Sequence, residues 1–334
     1  MRLYRPILVL ATLLAFGVIS LGAYVRLSDA GLGCPDWPGC YGQMVGVPEA
    51  AHEQAAALRA FPDKPVEAHK AWKEMVHRYF AGSLGLLIVA ITALAWRYRR
   101  TLHQSPALPM ALLGVVGAQA MLGMWTVTLL LKPVIVSAHL LGGMTTLGLL
   151  VWLLLCQQTN GGHARSSTGL RGTATLALLA VILQIALGGW VSSNYAALAC
   201  GDFPTCGGIW LPEMDFAHAF QIRRELGQTA DGAWLSNTAL TAIHWSHRIG
   251  ALLVTLIVGW LVFLLSRQPE WRSWAGMLAA SLLLQIGLGV ANVLFSLPLP
   301  VAVAHNIGAA VLLTATLALN FKLGKSTRKT LPKP

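Results

Sequence analysis

The fold class of this chain is decided by the segment Val134–Leu155, which reads VIVSAHLLGGMTTLGLLVWLLL. These 22 residues include no Lys, Arg, Asp or Glu, and an α-helix of about 20 apolar residues crosses a hydrocarbon core about 30 Å thick. Pro6–Val25 and Tyr79–Trp96 are free of charge in the same way. Transmembrane β-strands alternate apolar and polar residues instead. The segment therefore predicts an all-α integral membrane protein.

The overall composition agrees with this class. Of the 334 residues, 55% are hydrophobic and 11% are charged, whereas soluble domains have about 25% charged residues. The formal net charge of +11 would suit a nucleic-acid partner, but the basic residues fall in short loops between apolar segments, where membrane orientation is encoded. We therefore expect the lipid bilayer as a partner and no nucleic acid.

Apolar segments and helix-breaking residues divide the chain into eight predicted spans, with boundaries good to about two to four residues. They lie near 6–27, 75–96, 107–131, 133–156, 172–193, 241–265, 273–295 and 300–320. Two long loops, 28–73 and 194–240, connect them on one side of the membrane.

The distribution of basic residues predicts the orientation. With a cytoplasmic N-terminus, the inner segments contain 14 of the 24 basic residues and one of the 13 acids, as the positive-inside rule requires. These basic residues are Arg2, Arg5, Arg97, Arg99, Arg100, Arg165, Arg171, Arg267, Arg272, Lys322, Lys325, Arg328, Lys329 and Lys333. Both termini are then cytoplasmic, and both long loops face the periplasm or the cell exterior.

The two halves of the chain match each other in order. A shift of 166 residues lays the loop Cys34–Cys40 (CPDWPGC) on Cys200–Cys206 (CGDFPTC). The other matched residues are Gln119 with Gln285, Gly123 with Gly289, His139 with His305, and, at a shift of 170, His77-Arg78 with His247-Arg248. This pattern predicts two duplicated four-helix bundles, residues 1–160 and 161–334. An even number of spans in each gives both the same orientation, with a pseudo-two-fold axis along the membrane normal.

Each half has one histidine at the outer end of its second span and one inside its fourth. They are His77 and His139 in the first half, and His247 and His305 in the second. An ionisable residue within a span is costly and usually functional, although a single one is as often a packing or hydrogen-bonding group. Histidines on facing helices of a bundle hold heme by both axial positions. The cysteines lie too far along the loops to complete a zinc site, so we predict that the four histidines bind heme iron.

Three arginines lie near these histidines. Arg78 and Arg248 directly follow His77 and His247, and Arg26 closes the first span. A guanidinium group there could bind a heme propionate or extend to lipid headgroups. The sequence leaves both interpretations open.

Four of the five cysteines form two equally spaced pairs in the long loops. In an oxidising compartment, such pairs are expected to form disulfides. We predict the bonds Cys34–Cys40 and Cys200–Cys206; whether they are structural or redox-active stays open.

Taken together, these residues resemble the heme A synthase family, also called the CtaA/Cox15 family. The resemblance covers residues 10 to 320 approximately and depends on Glu74–Arg78 (EMVHR), the histidines, the paired cysteine loops and the eight-span duplication. Loop cysteines occur in only part of that family.

The resemblance implies the oxidation of a methyl group of heme O to the formyl group of heme A, which terminal oxidases use. It implies that His77 and His139 receive the substrate heme, while His247 and His305 retain a heme b cofactor. It also implies a bacterial cytoplasmic (inner) membrane, delivery of heme O by heme O synthase (a protoheme farnesyltransferase), and an electron donor or acceptor.

Glu74 is the candidate catalytic group. It lies three residues before His77, so the two side chains share a helix face, and the equivalent residue of the second half is His244. A carboxylate near an oxidised carbon could stabilise positive charge or take the released proton. The alternative is an acid in the first helical turn that interacts with the helix dipole, worth about 0.3–1 kcal/mol. His244 could be an extra ligand or a propionate contact in the cofactor half.

Two other functions compete with the synthase. A membrane diheme electron-transfer protein would also use four histidines, but its hemes would be spaced across the membrane, whereas all four histidines here lie near one side. A transporter with repeated halves would show broken helices and charges at mid-depth, and we identify no convincing example in the sequence.

Overall fold

The computed structural model describes residues 3–102, 105–157 and 168–328. Within those ranges the chain forms α-helices, two single-turn 3-10 helices and isolated β-bridges, without a β-sheet. The helices are α1 (Tyr4–Leu27), α2 (Ala51–Ala60), α3 (Ala68–Arg97), α4 (Arg99–Leu102), α5 (Ala107–Thr128), α6 (Pro133–Cys156), α7 (Thr168–Ser193), α8 (Phe216–Ala219), α9 (Asn237–Ser266), α10 (Arg272–Leu294) and α11 (Leu299–Arg328).

Eight of these helices are long and apolar enough to cross a membrane: α1, α3, α5, α6, α7, α9, α10 with the 3-10 turn before it, and α11. The predicted all-α class with eight spans is confirmed. Arg2, Arg165, Lys329 and Lys333, which contribute to the predicted orientation, lie outside the described residues, and so does the predicted domain boundary at residue 160.

The predicted boundaries of three spans need correction. Helix α3 begins at Ala68 instead of near residue 75, and α9 begins at Asn237 instead of near 241. Helix α11 continues to Arg328, past the predicted end near 320. Hydropathy marks only the apolar part of a helix. The first turns of α3 are polar, but Ala71 and Met75 are buried with the first cysteine loop, and this packing stabilises the extra turns.

One compact unit contains the described residues up to Thr146 together with Ile222–Trp234. Helix α3 packs against both α1 and α5. Helix α6 meets α5 where the ring of His139 lies against Gly123, and meets α1 near Ile19. Large apolar side chains such as Leu13 and Leu86 are 65% and 74% exposed, as expected for surfaces that face lipid.

The other compact unit contains the described residues of Leu147–Gln221 and those from Leu235 onward. Its helices form a closed ring in which α7 packs on α9, α9 on α10, α10 on α11, and α11 on α7. The amide of Asn320 on α11 donates to the Ala174 carbonyl of α7 at 2.8 Å. Such interhelical hydrogen bonds contribute to association within a membrane, where hydrophobic burial cannot.

The two long loops contain short helices and buried residues. In the first unit, α2 and the loop Cys34–Cys40 pack on the start of α3, with Cys34, Cys40 and Tyr41 buried. Gly33 approaches this helix so closely that an added Cβ would lie 2.6 Å from the carbonyl carbon of Lys70. Only glycine permits that approach. The loop is therefore held directly against the helix that carries Glu74 and His77.

Candidate functional site

Each of the four predicted histidines lies against a glycine of the helix that precedes it in its unit. A Cβ added to that glycine would lie 3.0 to 3.4 Å from Cε1 of the imidazole. The pairs are Gly22 with His77, Gly123 with His139, Gly188 with His247, and Gly289 with His305. A larger residue at these positions would displace the rings. The glycines therefore let each imidazole lie against the facing helix backbone.

The histidines also come together in pairs. His77 and His139 are close enough for an electrostatic interaction in the first unit, and so are His247 and His305 in the second. The structure thus brings together the residues that the sequence paired.

Several polar atoms at these histidines are unsatisfied. Among the described residues, buried Nδ1 of His77, His139 and His305 has no hydrogen-bond partner. A buried polar atom without a partner is costly and in native structures needs an explanation, such as an absent ligand or ion. Paired imidazoles, unsatisfied nitrogens and apolar helices are surroundings that could hold a heme through its iron. The donor set therefore fits the predicted group.

Glutamines that the sequence analysis did not assign to the site lie beside these histidines. Nε2 of Gln184 is 3.0 Å from Nδ1 of His247 and donates to the His247 carbonyl at 2.9 Å. Nε2 of Gln285 is 3.3 Å from Nε2 of His305 and donates to its carbonyl at 3.0 Å. Gln285 entered the sequence analysis only as a repeat marker. Gln285 lies four residues before Gly289, and Gln184 lies four residues before Gly188. This shared spacing is the sequence signal that could have identified both glutamines.

Glu74 is buried, with 6% of its side chain exposed. Its carboxylate accepts the backbone N–H of Cys34 at 3.1 Å and lies 2.5 Å from Nη2 of Arg78. Because α3 starts at Ala68, Glu74 lies beyond the first turn. The alternative explanation, a first-turn acid that interacts with the helix dipole, is therefore wrong. Glu74 instead joins its helix to the first cysteine loop.

Arg78 completes this connection. Its guanidinium donates to the carbonyls of Asp36 at 3.0 Å and Pro38 at 3.2 Å, and also to that of Gly39. These contacts are with protein, whereas the sequence suggested propionates or lipid headgroups. Arg26 lies in the last turn of α1.

His244 occupies the corresponding place in the second unit. It is 4% exposed. Its Nδ1 is 3.4 Å from the backbone nitrogen of Cys200, and its Nε2 is 3.3 Å from Nε of Arg248. A neutral imidazole accepts at only one nitrogen, so it cannot accept both bonds at once as a carboxylate does. Arg248, like Arg78, donates to three loop carbonyls, here those of Thr205, Cys200 and Asp202 at 2.7 to 2.9 Å.

Each cysteine loop is closed by a disulfide, Cys34–Cys40 in one unit and Cys200–Cys206 in the other. An aspartate within each loop accepts backbone N–H groups that follow the second cysteine. Asp202 accepts from Gly207 at 2.6 Å and Gly208 at 2.9 Å, and from the Thr205 hydroxyl at 2.5 Å. The Thr205 hydrogen bond, followed by the bond from Gly208, lowers the pKa of Asp202 to about 2.

Comparison with known proteins places the chain in a family. A heme A synthase of Shewanella oneidensis is 42% identical over 316 residues, which cover 94% of each protein. Heme A synthases of Caulobacter vibrioides and Paracoccus denitrificans are 27% and 29% identical, and the matches cover 96% and 93% of this chain and 96% and 85% of those proteins. Residues 5–317 match the COX15-CtaA family, described as cytochrome oxidase assembly protein. Because this match spans nearly the whole sequence, the chain belongs to the COX15-CtaA family.

Proposed function

We propose that the protein is a heme A synthase, an oxidoreductase that converts a methyl group of heme O to the formyl group of heme A. One observation carries the proposal. The chain matches proteins named heme A synthase along nearly its whole length, and each of its units has two histidines close enough to interact electrostatically. Axial histidines from facing helices are the usual means of holding a heme within a bundle.

The two units have different roles in this proposal. His77 and His139 bind the substrate heme, and His247 and His305 bind heme b. When bound, heme b would supply a redox-active iron. The difference between Glu74 and His244 supports this division, because only the first unit has a carboxylate on the helix face of its outer histidine.

Glu74 acts on the substrate in this scheme. Arg78 and the Cys34 N–H hold its carboxylate in place on the face of α3 that also carries His77. A carboxylate held there is suited to accept a proton or to stabilise developing positive charge as the methyl carbon is oxidised. The bonds that fasten the loop therefore also orient the proposed reactive group.

The three arginines remain candidates for heme propionates in this proposal. Arg78 and Arg248 donate to loop carbonyls, so each would have to give up part of that network to bind a propionate. Arg26 lies in the last turn of α1, and we propose that it binds a propionate of the substrate heme, as Arg78 would.

The protein is a multi-pass membrane protein. We propose that it lies in the bacterial inner membrane with cytoplasmic termini and periplasmic cysteine loops. Its partners would be heme O synthase, which supplies the substrate, and a protein or small molecule that exchanges electrons with the heme b half. We also propose that residues 1–160 and 161–334 form two duplicated four-helix bundles, with a pseudo-two-fold axis along the membrane normal.

Heme composition tests the function directly. Cells that make heme O but lack heme A would receive either this chain or a vector control, and extracted hemes would be separated by chromatography and identified by mass. We expect heme A only with the chain. A purified protein that contains heme b alone, in cells whose heme O remains unchanged, would instead favour the diheme electron-transfer protein.

A further inference from the structure

Each cysteine loop contains a stretch without charged residues. In the first unit it is residues 37–48 (WPGCYGQMVGVP), and in the second it is residues 203–212 (FPTCGGIWLP). An acidic residue lies directly before and directly after each stretch. The two halves therefore share an uncharged stretch at the same place in their loops, although they do not share its sequence.

A tight turn within each stretch is held in place by several bonds. In the first unit, Cys40 and Gln43 exchange backbone hydrogen bonds of 2.8 and 3.0 Å. In the second, Cys206 and Ile209 exchange the same two bonds at 3.0 and 3.2 Å. An aspartate of each loop accepts the N–H groups of the two residues inside the turn, and a disulfide closes each loop. The residues that follow each turn therefore extend from a fixed base.

The side chains that follow these turns are apolar and exposed. Met44 and Val45 are 68% and 79% exposed, and their equivalents 166 residues later, Trp210 and Leu211, are 69% and 76% exposed. We call these two pairs the loop tips. Val47, two residues beyond the first tip, is buried in the core of its loop, so only part of the stretch is used for packing. Adjacent exposed apolar side chains mark a contact surface.

Contacts with α3 place the first loop tip at the membrane boundary. Tyr79 is the first residue of the charge-free segment that continues to Trp96 within this membrane-spanning helix. Its hydroxyl accepts the N–H of Gly46 at 2.7 Å, and Gly46 directly follows the tip. Tyrosine is typical of the membrane–water interface. Tyr79 and Phe80 are themselves exposed, so the surface beside the tip continues into the surface that α3 presents to lipid.

Arg248 places the second stretch at the corresponding level of α9. It is the last charged residue before the charge-free residues 249–266 of that helix. Its guanidinium donates to the Thr205 carbonyl at 2.7 Å and lies 5.9 Å from the ring centroid of Phe203. Both residues belong to the stretch that ends in the second loop tip. A span end with arginine and aromatic side chains is typical of the interface.

We propose that both loop tips insert into the membrane surface, and that bilayer lipid is the partner that covers them. Apolar side chains that bind at an interface are buried about 5–10 Å into the boundary between headgroups and acyl chains. The tips are uncharged, start from a fixed turn and lie where their helices enter the hydrocarbon. The inference goes beyond the proposed function, since it involves no heme.

Insertion of the tips also affects the site. The backbone N–H of Cys34 donates to Glu74, and that of Cys200 lies 3.4 Å from Nδ1 of His244. Each of these cysteines begins the loop whose far end includes a tip. Lipid contact therefore helps to hold the loops over the two helices that carry Glu74 and His244.

Nitroxide labels test the position of the tips. Cys156 is the one cysteine outside the disulfides, so Cys156→Ala provides the background. Met44→Cys and Leu211→Cys are labelled separately, in nanodiscs of phosphatidylethanolamine and phosphatidylglycerol. Collisions with oxygen, which concentrates in lipid, are compared with collisions with a water-soluble nickel chelate. We expect both tips to collide more with oxygen than with the chelate.

Two further labels calibrate the measurement. Leu86→Cys lies on the exposed face of α3, seven residues or about 10 Å beyond Tyr79, and should show the strongest preference for oxygen. Asp63→Cys replaces an exposed charged residue of the first loop and should prefer the chelate. A label at either tip that matches the Asp63 control would overturn the proposal, because that tip would lie in water. Few collisions with both reagents would also overturn it, because protein would then cover the tip.

A measurement without an added thiol avoids any exchange with the disulfides. Benzoylphenylalanine replaces Val45 or Trp210 in the otherwise unchanged chain, and the protein is irradiated in the same nanodiscs. We expect a phospholipid adduct on the peptide that contains each tip, identified by mass. Absence of the lipid adduct, or a cross-link to a second protein chain in its place, would refute the insertion of that tip.

Discussion

The role of Glu74 can be tested by separating its contribution to the loop from its contribution to the reaction. Glu74→Ala removes the hydrogen bonds that the carboxylate accepts from Arg78 and from the Cys34 N–H. Glu74→Gln keeps an acceptor for the Cys34 N–H, and Glu74→His reproduces the residue found at the same place in the second unit, where it fastens a cysteine loop. Glu74→Gln and Glu74→His therefore preserve more of the loop attachment than Glu74→Ala, while the carboxylate is absent from all three variants.

The structure sets the expected stability costs. The ion pair with Arg78 is largely buried, with 12% and 6% of the two side chains exposed, and breaking a buried pair costs about 3–5 kcal/mol. Arg78 keeps its carbonyl acceptors on Asp36 and Pro38, so Glu74→Ala should fall near the lower limit of this range. In Glu74→Gln and Glu74→His the loss should be smaller, about 1–3 kcal/mol, because one hydrogen bond to a charged group is weakened.

We expect the heme A output of the three variants not to follow the order of their stability losses. If the carboxylate acts on the substrate, all three variants should lose output by about 10²-fold or more, the usual range for acid–base groups, while Glu74→Gln and Glu74→His retain heme b and the Cys34–Cys40 bond. Thermal unfolding, heme extraction and peptide mapping without reduction measure these quantities. Asp36→Asn is the matched control, since it loosens the same loop by weakening bonds to Tyr41 and Gly42 but leaves Glu74 in place. More than half of the normal output from Glu74→His would show that Glu74 only fastens the loop.

Two further predictions concern the ligands and the second loop. His305→Ala should remove most of the heme b spectrum, whereas His77→Ala should keep that spectrum and stop heme A production; an unchanged spectrum in purified His305→Ala protein would contradict the assignment of heme b. Because the pKa of Asp202 falls from 3.8 to about 2 on folding, its carboxylate stabilises the loop above about pH 4, and this stabilisation is lost as the pH falls through about 2. Amide exchange at Gly207 and Gly208, corrected for its intrinsic pH dependence, should report that loss, and Asp202→Asn should abolish it; the same pH response in both proteins would refute it.

The sequence by itself determined the class of the protein and the identity of its principal residues. Long apolar segments specify membrane-spanning helices, because a backbone in lipid must satisfy its own hydrogen bonds. The matched halves identified His77, His139, His247 and His305 without any structure, since these residues recur at nearly constant separation. The same comparison identified Glu74 as the position at which the halves differ.

Tertiary structure decided what surrounds those residues. The early start of α3 depends on packing against a loop some 30 or more residues away in sequence, which hydropathy within the helix cannot report. Arg78 sits beside a histidine in sequence, yet its guanidinium binds the carbonyls of Asp36 and Pro38, because the loop folds back over the helix end.

The glutamines show the same limit most directly. Gln184 and His247 are 63 residues apart, and nothing local to either one indicates that an amide of one helix rests on the imidazole and the backbone carbonyl of another. Their contact exists because Gly188 and Gly250 let α7 and α9 approach closely. The sequence alone thus determined which side chains are available for chemistry, whereas close helix packing decided which of them share a hydrogen bond.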